Sequence, residues 1–136
     1  MPTGMEATQV LIDSNCFIEH IRAKRKDATA LAKVQEQRHQ LITSSIVAAE
    51  LFYGARTAAV RSAVQQVLFG IEIVAFTSQM ASRISVVAEQ LQRRSEVIGF
   101  RDLAIACCAL TLGVPVATHN RSEFARVDGL RLFEMS

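Results

Sequence analysis

Gln9-Val10-Leu11-Ile12-Asp13-Ser14-Asn15-Cys16-Phe17 runs from an unbroken aliphatic stretch onto a carboxylate and then onto two residues that favour helix starts. An apolar run without polar alternation fits a strand buried on both faces, as in parallel sheets. Gln9 to Asp13 is therefore expected as a short buried strand, with Ser14-Asn15 capping a helix over Cys16–Arg22. Outward from there the pattern repeats. Residues 28–37 have helical composition, with Asp27 as the expected cap. Gln40–Thr43 reads as a strand, and Ser44-Ser45 cap a helix reaching about Ala55. A helix over Thr57–Leu68 carries the stripe Val60, Val64, Val67, Leu68. Ile71–Phe76 reads as a strand, and Thr77-Ser78 open a helix to Arg94 with Ile84, Val87, Ala88 and Leu91 inward. Gly99 closes a loop, and Asp102–Leu112 is apolar around most of its circumference, the mark of a central helix stopped by Gly113. Pro115–Thr118 is a fourth strand and Leu130–Phe133 a fifth. Strands alternating with helices predict an α/β domain with a mainly parallel sheet of four to five strands.

Three nearly charge-free stretches each hold one acid. Asp13 is the only charged residue between Glu6 and Glu19, Glu50 the only one between His39 and Arg56, and Asp102 the only acid from Phe100 to Ser122. An ionised carboxylate buried alone costs several kcal/mol or more, so a cation is expected to meet them. Asp13 closes a strand, Asp102 opens a helix, and Glu50 lies about one and a half turns into another. In open parallel sheets these positions share the edge beyond the strand C-termini, beside Thr118-His119-Asn120. Hard oxygen donors without clustered His or Cys suit Mg²⁺ or Mn²⁺ and argue against zinc. Local roles compete with this reading. Asp13 could cap the helix that follows it, and Asp102 could serve the helix dipole. Glu50 has no such alternative, because its neighbours three and four residues away are Ile46, Val47, Tyr53 and Gly54.

The bulk properties set limits. The 136 residues suit a single domain, and 50% hydrophobic content fits ordinary globular folding. No apolar run approaches the roughly 18–20 residues of a membrane span. Residues 1–8 read as a flexible lead-in without the features of a signal peptide. Cys16, Cys107 and Cys108 look like reduced core residues, which places the protein in the cytoplasm. There are 15 basic and 13 acidic residues; if Asp13, Glu50, Asp102 and Glu123 converge, the remaining surface sets 15 bases against 9 acids and favours a polyanionic partner. Phe52 and Tyr53, beside Glu50, are expected as core or dimer contacts. His119 is expected as an ordinary polar loop residue.

These residues together resemble PIN-domain ribonucleases, and within them the VapC toxins of toxin–antitoxin pairs. Leu11-Ile12-Asp13-Ser14-Asn15 is similar to the family's first motif, and Thr43–Ala55, around Ala49-Glu50-Leu51, to its second. Ile98–Ala106, around Arg101-Asp102-Leu103, is similar to its third. Ala117-Thr118-His119-Asn120, with Glu123-Phe124 and Val127-Asp128-Gly129-Leu130, resembles the closing pattern. Many members have Asp where this chain has Asn120, which leaves Asn120 and Glu123 as alternatives for the fourth polar group. The resemblance covers about Val10 to Phe133 and implies a single PIN-like three-layer α/β/α domain. It implies a Mg²⁺- or Mn²⁺-dependent endoribonuclease with Asp13, Glu50, Asp102 and Asn120 catalytic and Asp13, Glu50, Asp102 and Glu123 as metal ligands. Ser14, Asn15 and Thr118 would orient those ligands, and Arg101 and Arg121 would hold phosphates. A homodimer is implied, neutralised by a VapB-type antitoxin in a hetero-oligomer that engages operator DNA through the antitoxin. The alternative is a non-catalytic PIN-like module that binds nucleic acid or protein. Phosphotransfer on Asp13 fits poorly, since there is no Asp-x-Asp at Asp13 and no lysine after Lys33.

Overall fold

A computed structural model describes residues 8–135, so all but Thr8 of the expected lead-in lies outside the described residues. Four strands, β1 (Gln9–Ile12), β2 (Gln40–Ser44), β3 (Glu72–Val74) and β4 (Val116–Ala117), form one sheet in the order β3-β2-β1-β4. Every pairing is parallel, with Val10 beside Leu41, Leu11 beside Val116 and Thr43 beside Ile73. Val10, Leu11 and Ile12 are all fully buried. Successive strand side chains point to opposite faces, so both faces of the sheet are covered and the layered α/β reading holds.

The helices are α1 (Ser14–Arg22), α2 (Ala30–Glu36), α3 (Ser45–Tyr53), α4 (Ala58–Leu68), α5 (Ser78–Arg93), α6 (Phe100–Leu112) and α7 (Arg121–Phe124). Ser44, Thr57 and Thr77 cap α3, α4 and α5 through their side-chain oxygens. Two caps differ from expectation. Asp13, rather than Ser14-Asn15, caps α1, accepting from the Ser14 amide at 2.8 Å. Thr29, rather than Asp27, caps α2. The expected fifth strand shrinks to one parallel bridge between Val116 and Leu132, since β4 is only two residues long and offers little to pair with. Val60 is exposed, so the inward stripe of α4 narrows to Val64 and Leu68 with Val67 partly covered. As predicted, α6 is buried from Leu103 to Ala109 and ends on Gly113 in the left-handed conformation, at φ 70°.

The connection from β3 to β4 passes across the sheet, so the strand order reverses between β1 and β4. Such a switch point opens a crevice at the strand C-termini. Asp13 follows β1 there and Thr118 follows β4.

His20, near the end of α1, shares a 2.6 Å hydrogen bond with Thr29 Oγ1, whose hydroxyl also donates to the Lys26 carbonyl. Burial, and then the charge of Lys26, depress its pKa below the ordinary 6.5. The folded protein thus holds this proton more weakly than the unfolded chain does. Stability is complete above about pH 6.5 and declines as the pH falls through the lower folded value. Urea midpoints measured from pH 7.5 down to 5.5 should fall less steeply in His20→Asn.

Candidate active site

Asp13 is fully buried at the end of β1, and each of its oxygens is occupied. Oδ1 accepts from the Ser14 amide and from Arg101 Nη2, and Oδ2 accepts from the Thr118 hydroxyl at 2.7 Å. Thr118 Oγ1 also accepts from Asn15 Nδ2 at 3.2 Å and from the Asn120 amide at 3.0 Å. With those lone pairs engaged, its proton is directed at Asp13. Thr118→Val would strand a buried carboxylate oxygen together with two donors. It should lower stability by about 1–3 kcal/mol, read by chemical denaturation.

Glu50 is the sixth residue of α3 and reaches across to α6. Arg101 Nε donates to both of its oxygens, at 3.0 and 2.8 Å, and Arg101 Nη2 to Oε1 at 2.7 Å. Asp102, in the first turn of α6, accepts from Arg101 Nη1 at 2.9 Å on one oxygen and from Asn120 Nδ2 at 2.7 Å on the other. Arg101 Nη2 also donates to Ser14 Oγ at 2.8 Å. One guanidinium thus binds three carboxylates from three separate elements. Burial opposes the charge on Arg101, but its hydrogen bonds to Glu50, Asp13 and Asp102 outweigh that and hold its pKa above the ordinary arginine value.

The sequence-predicted residues therefore divide. Asp13, Glu50, Asp102, Asn120, Ser14, Asn15, Thr118 and Arg101 form one hydrogen-bonded cluster. Two others stand apart from it. Arg121 donates to the Phe133 carbonyl and to Glu134. Glu123 pairs with Arg126 at 3.6 Å, its buried Oε2 without a hydrogen-bond partner. Arg101, expected to hold phosphate, binds the three acids here rather than standing free. His119 sits beside the cluster, its ring 3.1 Å from Glu19 and its amide bonded to Asn15 Oδ1. The Glu19 carboxyl is partly desolvated, yet the Ala30 amide and His119 together hold it below its ordinary pKa. Tyr53 is 78% exposed, with the Arg56 guanidinium over its ring, and Phe52 is exposed as well, so neither is a core residue. Cys16, Cys107 and Cys108 are buried and free, and burial, helped by the nearby charge of Asp13, raises the Cys16 thiol to about 12.

The donor set fits a divalent cation in its chemistry. All three acids are hard oxygen donors, and when ionised they outnumber the single guanidinium by two charges. As arranged around that guanidinium they are not yet a cage. Among the described residues, no three His, Cys, Asp or Glu side chains stand at metal-holding distances.

The PIN domain model matches residues 10–130, and the chain belongs to the PIN domain family. Two curated relatives are nucleases by name. Ribonuclease VapC2 of Haemophilus influenzae is 27% identical, covering 89% of this chain and 93% of its own length. The tRNA(fMet)-specific endonuclease VapC of Shigella flexneri is 28% identical, covering 93% and 97%. Among solved structures, VapBC-1 from nontypeable Haemophilus influenzae superposes with a TM-score of 0.79 at 26% identity, covering 93% of this chain and 98% of that one.

Proposed function

We propose that this protein is a VapC-type endoribonuclease that hydrolyses RNA phosphodiester bonds with a divalent metal, Mg²⁺ or Mn²⁺, and is neutralised by a VapB-type antitoxin. The observation that carries the reading is the convergence of Asp13, Glu50 and Asp102 on one point at the sheet's C-terminal edge. The family match and the named relatives support it. A divalent ion held by these acids would polarise the scissile phosphate and lower the pKa of water toward neutrality.

The chain's own residues have separate tasks around that ion. Thr118 fixes the orientation of Asp13, and Asn120 that of Asp102, by donating to the outer oxygen of each. Asn15, at the start of α1, is tied to β4's end through Thr118 and His119, while the Ser14 hydroxyl accepts from Arg101. Arg101 is the cation nearest the acids and the candidate to hold a phosphate of the RNA. Arg121 and Glu123 are weaker candidates for phosphate and metal, since both are engaged elsewhere.

An antitoxin would have to satisfy the same acids. A mostly apolar groove is lined by Ile18, Ile21, Leu51, Val60 and Val64, with Arg22 and Glu50 also on its walls. An amphipathic segment bearing a basic side chain suits both the groove and the carboxylates. The exposed Phe52 and Tyr53 are available as contacts between copies in a dimer.

Purified protein incubated with RNA in Mg²⁺ should cleave it internally, and EDTA should abolish cleavage until Mg²⁺ or Mn²⁺ is restored. Cleavage that persists undiminished in EDTA would defeat the metal assignment. A folded protein that binds RNA without cutting it would instead be the non-catalytic PIN-like module, with its acids permanently tied to Arg101.

A further inference from the structure

Arg101 is not merely close to the acids. The three side chains present six carboxylate oxygens, and Arg101 donates to four of them: Asp13 Oδ1, both oxygens of Glu50, and Asp102 Oδ1. The remaining two accept from Thr118 and Asn120. Every oxygen turned toward the shared space is therefore committed to the guanidinium. Nη2 lies between Asp13 Oδ1 and Glu50 Oε1, within hydrogen-bond distance of both. A divalent ion held by Asp13 and Glu50 together would need the space this nitrogen fills.

We propose that Arg101 is a displaceable internal counter-cation of the acidic site. It holds Asp13, Glu50 and Asp102 in place in the metal-free protein and leaves them when a divalent ion enters. Metal affinity is then set by competition within the chain, and entry of the ion frees a guanidinium beside the site at the moment a phosphate can use it. This rests on the reading that these acids take Mg²⁺ or Mn²⁺.

Two features make the exchange workable. Arg101 is 30% exposed and Glu50 38%, so the guanidinium has a path toward solvent, whereas Asp13 is wholly buried and stays fixed by Thr118 and the Ser14 amide. Three ionised acids keep a net charge of about minus two with the guanidinium among them, and about minus one with a divalent ion in its place, so the exchange lowers the repulsion between the acids.

The test follows the Nε–H signal of Arg101 by nitrogen-15 NMR in the full-length protein, identified by its loss in Arg101→Gln. In EDTA this proton is bound to Glu50 and should exchange slowly with water. Saturating MgCl₂ should shift the signal and expose it to fast exchange. Calorimetry should then show Arg101→Gln binding Mg²⁺ about tenfold more tightly or better, the order expected when a competitor held by charge-assisted hydrogen bonds is removed. A purely structural arginine would give weaker binding in the variant. Binding by the variant and none by the native protein would overturn the exchange, because the guanidinium would then never leave the acids. If Mg²⁺ shifts the Asp and Glu carboxyl carbons while the Arg101 signal stays protected, ion and guanidinium coexist. That result overturns this inference and leaves the metal-dependent nuclease standing. No Mg²⁺ response in either protein would remove both.

Discussion

Asp13→Asn and Asp102→Asn should each reduce RNA cleavage on the order of 10³-fold or more while the protein remains folded. The argument is one of charge and of donor count. Asp13 accepts from the Ser14 amide, Arg101 and Thr118, and none of those three bonds requires Asp13 to donate. An amide at position 13 keeps one acceptor and replaces the other with a donor. The Thr118 hydroxyl already accepts twice, and Arg101 has only donors, so the new N–H₂ meets another donor on either side. The expected stability loss is about 1–3 kcal/mol, and a typical domain survives it. Asn remains a good helix cap, so α1 should keep its start. Asp102→Asn faces the same conflict between Arg101 and Asn120. Cleavage assays in Mg²⁺, paired with circular dichroism and melting curves, separate lost chemistry from lost fold. Full cleavage by a folded Asp102→Asn protein would strike that acid from the mechanism.

The three acids were legible because each stood alone in an apolar stretch, where a charge needs a reason to be present. Their common location followed from the α/β alternation, which puts strand ends and helix starts at one edge. The identity of the cation that meets them was not legible. Sequence spacing suggests a metal, while the structure shows Arg101, and only the geometry of α6 reveals that a side chain adjacent to Asp102 also reaches Glu50 and Asp13. Thr118 was readable as an orienting group, but the convergence of two further donors on its oxygen depends on where β4 ends. The fifth strand shrank to one bridge and α7 was not foreseen for a simpler reason: one residue pair and a four-residue helix leave no periodicity in a sequence. Asn120 stays with the acids through Asp102, whereas Glu123 turns to Arg126, which favours Asn120 as the fourth polar member.

Phe17→Ala should cost about 3–5 kcal/mol, enough to consume much of the stability of a typical domain. Phe17 lies on α1 with no exposed surface and is among the largest fully buried side chains of the core. Removing its ring leaves a void in a core whose other members, such as Leu11, Ile12 and Val47, are themselves fully buried and poorly placed to fill it. The guanidinium chloride midpoint should fall by about 1 M, whereas Phe17→Leu, which keeps most of the volume, should cost less than about 1.5 kcal/mol. The effect reaches the site through the chain itself. The first turn of α1 carries Ser14 and Asn15, and its cap is Asp13. A helix no longer held down by Phe17 allows those residues to move relative to Thr118. Phe17→Leu should therefore retain the cleavage rate, and Phe17→Ala should lose rate at temperatures where it is still mostly folded. A loss below about 1 kcal/mol in Phe17→Ala would mean that α1 repacks, and that β1 and the Thr118 contact position Asp13 without help from the helix.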